Sequence, residues 1–253
     1  MELLNSLVGQ INDILWSYVL IILLIGAGII FTIRTKFVQI RFIKEMIRLI
    51  AGDAGNKMEG QQISSFQAFC VSTASRVGVG NIAGIAIAVV LGGPGAIFWM
   101  WIIAILGSAT GFVESTLAQI YKVPRTDSNG YLGGPAYYIN NALHSPKTAV
   151  FFAILISVTY GLIFNSVQSN TISLSLQTAF NFDATMIGIV IAVFSGIVVF
   201  GGLHRIAKVT EYMVPIMAGI YLLIAFAITI YNISELPTVL SVIFKDAWGI
   251  ESV

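Results

Sequence analysis

A cluster of glycines and small polar residues interrupts an apolar stretch between Ser72 and Gly84. Gly78 and Gly80 lie two positions apart, and Asn81 follows them directly. Glycine in a helix interior costs about 1 kcal/mol relative to alanine, so helix-breaking residues are concentrated here. At an interruption, free N–H groups can bind an anion and free carbonyl oxygens can coordinate a cation. The spacing predicts a broken helix with a ligand site on its main chain. Close helix packing through Gly80 and Gly84 is the alternative.

Other polar side chains occur within apolar stretches and are candidates for the same site. Placing an arginine such as Arg76 at the centre of a bilayer costs about 2.5–3.5 kcal/mol, so it needs a partner, a cavity or access to the interface. Glu114 is a candidate partner; it either anchors a neighbouring helix or binds a cation directly. Asn165 and Gln168 share a helix face, where contacts between helices are the usual role of polar side chains. Of these two, Gln168 is the one we predict to contact a ligand.

The composition places these residues in a membrane protein. Hydrophobic residues make up 57% of the 253 positions and charged residues only 10%. Soluble domains carry about 25% charged residues, so the bilayer must solvate most of this chain. The net charge of +1 gives no reason to expect a nucleic-acid partner, and the single cysteine, Cys70, excludes an internal disulfide. We predict an all-α polytopic membrane protein in contact with the lipid bilayer.

Six apolar stretches are long enough to cross a hydrocarbon core of about 30 Å. The first is not a secretory signal peptide, because no lysine or arginine precedes it. The predicted spans are 14–33, 64–91, 95–119, 148–178, 184–201 and 207–231.

The interval 34–62 alternates basic and apolar residues, which is typical of an amphipathic helix on an anionic membrane face. A simple basic loop is the alternative. With the N-terminus outside, all 13 lysines and arginines except Arg76 and Lys245 fall in connections on the cytoplasmic side. The bias of basic residues toward the cytoplasm therefore predicts an external N-terminus in a multi-pass protein of the cytoplasmic membrane.

The sequence gives little support to the hypothesis that the protein is an enzyme. Gly78, Gly80 and Gly84 resemble a dinucleotide fingerprint with one residue too many, but they follow no strand and no acidic residue lies about 20 positions on. The chain has no HExxH motif and no GxSxG motif. We therefore expect a protein that is not an enzyme and has no organic cofactor.

Five segments along the chain match a known family in the expected order: Gly78–Gly84, Phe112–Ala118, Gly133–Tyr138, Phe164–Thr171 and Gly202–Lys208. On these segments the chain resembles the alanine or glycine:cation symporter family along nearly its whole length. The resemblance implies a leucine-transporter-type fold of two inverted five-helix repeats, here preceded by one peripheral helix. The second repeat would begin soon after Trp248, and its absence from this sequence would leave part of the site missing.

The resemblance also implies roles for particular residues. Backbone N–H groups of Gly78, Val79 and Gly80 would bind the substrate carboxylate, and Gln168 would approach the amino acid from another core helix. Asn81 would stabilise the unwound turn or contact the ligand. The carbonyl oxygens of Ala74 and Val77 would form half of a sodium site. Family members commonly have threonine where this chain has Val79, which preserves a backbone contact but not a hydroxyl contact.

These expectations divide the chain into three parts. Residues 1–62 would hold the peripheral helix and the basic amphipathic segment, 63–231 the first five-helix repeat, and 232–253 an outer connection toward the second repeat. The implied function is sodium-coupled symport of a small neutral amino acid, alanine or glycine, by this chain together with the second repeat. A truncated, non-transporting membrane protein or interaction partner is the alternative.

Overall fold

The computed structural model describes residues 2–52, 63–125 and 130–250. Helices dominate this part of the chain, and π-helical segments at Leu15–Val19, Gly80–Gly84 and Thr159–Phe164 continue directly into helices. The α-helices are α1 (Glu2–Ile14), α2 (Leu20–Arg34), α3 (Val38–Arg41), α4 (Ile43–Gly52), α5 (Ser65–Arg76), α6 (Ile85–Gly92), α7 (Ala96–Ile120), α8 (Pro135–Leu143), α9 (Pro146–Val158), α10 (Asn165–Phe180), α11 (Ala184–Val199), α12 (Gly202–Tyr231) and α13 (Leu236–Ala247). A 3₁₀ turn, Ile233–Glu235, precedes α13, and two short antiparallel strands, β1 (Val123–Pro124) and β2 (Tyr131–Leu132), lie between α7 and α8.

Length and hydropathy support five of the six predicted spans. Four continuous helices are long and apolar enough to cross a membrane, and one bent pair counts as a fifth. The remaining predicted span, 184–201, corresponds to α11. This helix is apolar but has only 16 residues, so its crossing of the membrane stays a prediction. The four continuous helices are Asn5–Arg34, Ala96–Ile120, Pro146–Phe180 and Gly202–Tyr231.

The bent pair consists of Ser65–Arg76 and Gly80–Gly92, which meet at an angle of 60°. We call it the broken helix, with a first half and a second half in chain order. Its first half packs against α12, and α2 packs against α7. Its start is fixed by Ser64, whose hydroxyl accepts a hydrogen bond from the Gln67 N–H, while the Gln67 side chain accepts one from the Ser64 N–H. This reciprocal cap satisfies two donors that a helix start leaves free.

Few side chains are buried between the helices of the described chain. Most of the large apolar side chains instead face outward, as expected where the surrounding solvent is hydrocarbon. The buried apolar residues are Val38, Cys70, Ala109, Ala149, Ile187, Ala207, Val214 and Ile243.

The connections contain more structure than the sequence predicted. Helices α3 and α4 cover 38–52 of the predicted amphipathic segment 34–62, and its remainder at 53–62 lies outside the described residues. The strand pair and α8 occupy a stretch interpreted only as a connection, of which 126–129 is not described. The predicted outer connection forms α13, and its last three positions, 251–253, are likewise not described.

Candidate functional site

The predicted interruption of the second span is confirmed. After Arg76, Val77 adopts extended dihedral angles of φ −95° and ψ 104°, which end the first half of the broken helix. Its N–H still donates to the carbonyl oxygen of Thr73 at 2.8 Å, and the chain then turns by 60° into the second half. Freed backbone groups at membrane depth are tolerated where they are buried in protein or line a cavity. The break is therefore where ligand-binding main chain is expected.

The alternative of close packing through Gly80 and Gly84 finds no support in the described chain. A methyl group added at either position would meet no atom within 4 Å. Gly78 differs, because a methyl group there would lie 2.7 Å from Nε2 of Gln168. Of these three glycines, Gly78 is the one that a close approach requires.

The structure brings Gln168 to the break, together with Asn81. Oε1 of Gln168 accepts a hydrogen bond from the Val79 N–H at 3.1 Å. Oδ1 of Asn81 accepts one from the Gly78 N–H at 3.0 Å, and the Asn81 N–H donates to the Gly78 carbonyl oxygen at 3.0 Å. Two amides predicted to face a carboxylate are thus held by side-chain oxygens. Those oxygens mark positions that an anionic oxygen can take in exchange.

The two carbonyl oxygens predicted to bind a cation lie on either side of the end of the first half. Ala74 is in its last turn, and Val77 is the first residue beyond it. In the described part of the chain, no backbone hydrogen bond ends on the carbonyl oxygen of Val77. An oxygen without such a donor is available to a hard cation, which prefers oxygen ligands.

Arg76 and Glu114 face one open cleft of about 650 Å³ on the side of α7. A methyl group added at Gly111 would lie 3.8 Å from Nη2 of Arg76, so the guanidinium lies over this face of α7. Within the described residues the two side chains form no ion pair. The predicted partnership is therefore limited to a shared cleft. Beside it, burial raises the pKa of the Tyr138 phenol on α8, and the Glu114 carboxylate raises it further.

Asn165 does not join Gln168 at the break. Its amide donates to the carbonyl oxygen of Gly161 in its own helix at 3.3 Å. A second cleft, of about 360 Å³, does adjoin Val79 and was not predicted. The spacing of Thr171, Ile172 and Ser175 after Gln168 was the signal for it, because these residues follow one face of α10. The cleft is lined by Val79, Ile82, Ala83, Thr171, Ile172, Ser175 and Leu176.

These features define the class of the protein: a multi-pass, α-helical membrane protein with a span broken at a polar, main-chain site. Comparison with known proteins gives the family. The model of the sodium:alanine symporter family matches residues 1–253, and the chain belongs to that family.

Curated relatives agree with this assignment. The chain is 51% identical over 250 residues to the probable sodium/glutamine symporter GlnT of Bacillus subtilis, covering 99% of this chain and 52% of GlnT. It is 49% identical to the amino-acid carrier protein AlsT of the same organism, covering 98% of this chain and 52% of AlsT. It is 36% identical to the sodium/alanine symporter AgcS of Methanococcus maripaludis, covering 96% of this chain and 54% of AgcS. The chain spans about half the length of these relatives.

Proposed function

We propose that this chain, together with a second five-helix repeat, carries out sodium-coupled symport of a small neutral amino acid, alanine or glycine, across the cytoplasmic membrane. The observation that carries the proposal is the contact between Gln168 and the Val79 N–H at the broken helix. The proposed fold is the leucine-transporter-type inverted repeat, in which sites lie between repeats and are built on broken helices.

Binding would proceed by exchange of hydrogen-bond acceptors. The substrate carboxylate would take the places of the Gln168 and Asn81 oxygens at the amides of Val79 and Gly78, with the Gly80 amide as a third donor. An ionised acceptor forms a stronger hydrogen bond than a neutral amide oxygen, so the exchange favours the bound state. Once released, Oε1 of Gln168 is free to accept a hydrogen bond from the substrate ammonium group.

Sodium would be held by the carbonyl oxygens of Ala74 and Val77, with further ligands from the second repeat. The cation and the carboxylate would then lie on adjoining parts of one break, where each lowers the electrostatic cost of placing the other in a low-dielectric site. Coupling follows from this proximity, because each ligand strengthens the binding of the other by the same factor.

The test is uptake by reconstituted protein. The chain is expressed alone and fused to the second half of GlnT, and both forms are placed in liposomes with and without an inward sodium gradient. We expect gradient-dependent uptake of labelled alanine or glycine by the fusion and none by the chain alone. Gln168→Ala should lower uptake at subsaturating substrate by about tenfold or more, and Ser169→Ala serves as the matched control.

Three outcomes would contradict the proposal. Uptake by the fusion that is independent of sodium rejects the coupling. A clear preference for glutamine, the substrate in the name of GlnT, rejects the small-substrate assignment if it persists when the second half comes instead from the sodium/alanine symporter AgcS. Alanine uptake by the chain alone rejects the requirement for a second repeat.

A further inference from the structure

The corner between the broken helix and α7 is tied to a distant part of the chain. The N–H of Gly95, at the start of α7, donates to Oδ2 of Asp246 at 2.7 Å. Asp246 lies in the last turn of α13, 151 positions further along the chain. A carboxylate at a helix start satisfies a free N–H and interacts favourably with the helix dipole. The contact therefore joins α13 firmly to the first turn of a 25-residue helix.

The glycines of this corner make room for α13. A methyl group at Gly95 would lie 2.5 Å from the backbone nitrogen of Ala247. At Gly93, where φ is +76°, it would lie 2.5 Å from Oδ2 of Asp246. A larger residue at Gly95 would push the backbone of α13 away, and one at Gly93 would displace the Asp246 carboxylate, so the corner and α13 are fitted to each other.

Side chains extend the same contact. Nε1 of Trp99 donates to the carbonyl oxygen of Ala247 at 3.3 Å. The ring centroid of Phe98 lies 5.5 Å from that of Phe244 and 5.9 Å from that of Trp248. Aromatic pairs in this distance range attract one another beyond their simple burial. The contact is thus held by both polar and aromatic interactions.

The second half of the broken helix connects this corner to the candidate site. It begins at Gly80, beside Asn81, and ends at Gly92, next to the corner. Its 13 residues form a rod of roughly 20 Å. Near the end of that rod, Val90 and Leu91 are each 83% exposed, so those side chains do little to hold it in the described chain. The corner therefore restrains the end of the rod that lies opposite the Gln168 contact.

We propose that Asp246 is a positioning residue for the candidate site. Its carboxylate fixes the corner, the corner fixes the angle of the second half, and that angle sets where Gly80 and Asn81 lie relative to Gln168. The consequence for ligand binding rests on the proposed function. The positional role of Asp246 does not.

The test measures the position of the second half in the purified chain in lipid nanodiscs, with neither sodium nor amino acid added. Nitroxide labels at Val90→Cys and Phe180→Cys report the distance between the ends of the second half and α10, and Cys70 is buried. We expect Asp246→Asn to shift or broaden that distance by about 4 Å, as a pivot of roughly 15° would produce at position 90, about 15 Å from Gly80. Asp246→Glu, which keeps a carboxylate, should restore the parent distribution.

Glu235→Gln is the matched control, because it removes one carboxylate from an exposed position just before α13 and should leave the distance unchanged. An unchanged distance in folded Asp246→Asn, even with a lower melting temperature, would overturn the proposal. If that variant does not fold, Trp99→Phe decides instead. It removes the hydrogen bond to Ala247 and shrinks the ring that packs against Phe98 and Trp248, so it weakens the same corner. An unchanged distribution there also overturns the proposal. Because no ligand is involved, failure of sodium-coupled uptake would leave this result standing.

Discussion

Gly78 allows the side chain of Gln168 to reach the main chain of the broken helix. The amide oxygen of Gln168 accepts a hydrogen bond from the Val79 N–H, while Nε2 lies 2.7 Å from the place that a β-carbon on Gly78 would take. In the described part of the chain, the hydrogen bond to Gln168 is the side-chain hydrogen bond that joins the broken helix to α10. Because Gly78 has no β-carbon, Gln168 of α10 can contact the broken helix at the candidate site.

Gly78→Ala should therefore displace Gln168 and free the Val79 N–H. Loss of one hydrogen bond of about 1 kcal/mol predicts faster exchange of that amide by about fivefold. Hydrogen exchange followed by mass spectrometry of the peptide covering 77–84 measures this change. Gly84→Ala is the control, because a methyl group there meets no described atom within 4 Å. Equal exchange rates of this peptide in the two variants would show that the close approach at Gly78 does not stabilise the hydrogen bond of the Val79 N–H.

At the scale of residues, the sequence predicted which residues lie at the candidate site better than it predicted their hydrogen-bond partners. Glycine spacing predicted the break, and polarity within α10 predicted Gln168. The acceptors of the Gly78 and Val79 amides depend on the 60° bend, which is a property of the whole fold. For the same reason Arg76 and Glu114 share a cleft without forming an ion pair among the described residues.

At the scale of elements, the first half of the broken helix depends on α12. Gln67 completes the cap with Ser64, and its Nε2 donates to Oε2 of Glu211 at 2.9 Å. The hydrogen bond joins two helices that lie far apart in the sequence. It fixes the start of the first half against the helix that packs most closely with it.

Glu211→Ala should destabilise the fold by about 1–3 kcal/mol, because the Gln67 amide loses its acceptor. Thermal unfolding in nanodiscs, followed by circular dichroism, measures the loss. Glu211→Gln retains an acceptor oxygen and should recover at least half of it. If the alanine and glutamine variants unfold together at the wild-type temperature, Glu211 does not anchor this helix.

Elements that depend on distant contacts were the ones that the sequence did not predict. Most of the long apolar helices were predicted to within about five residues because their hydropathy is local. The first span was predicted to begin at 14, but its helix already includes Asn5. Helix α13 was predicted only as part of an outer connection, since its partner at Gly95 lies 151 positions away. The strand pair at Val123–Pro124 and Tyr131–Leu132 is too short for an alternating pattern to reveal it.

At the scale of the whole molecule, the topology depends on whether α11 crosses the membrane. Its 16 residues extend about 24 Å, less than the roughly 30 Å of a hydrocarbon core. If α11 crosses, its two ends lie on opposite sides of the membrane and the chain has six spans. If it does not cross, α10 and α12 are joined on one side and the basic residues divide differently.

Labelling at both ends of α11 decides between these arrangements. Phe182 and Leu203 flank it and are 57% and 64% exposed, and the native Cys70 is buried and contributes little background. With six spans, a membrane-impermeant maleimide should label Phe182→Cys in intact cells and Leu203→Cys only after permeabilisation. Labelling of both cysteines from the same side would show that α11 does not cross the membrane. Labelling of Leu203→Cys in intact cells and of Phe182→Cys only after permeabilisation would place the N-terminus inside. The first result is expected because bringing the basic connections to the cytoplasm requires α11 to cross, and a short span is accommodated by local thinning of the bilayer at modest cost.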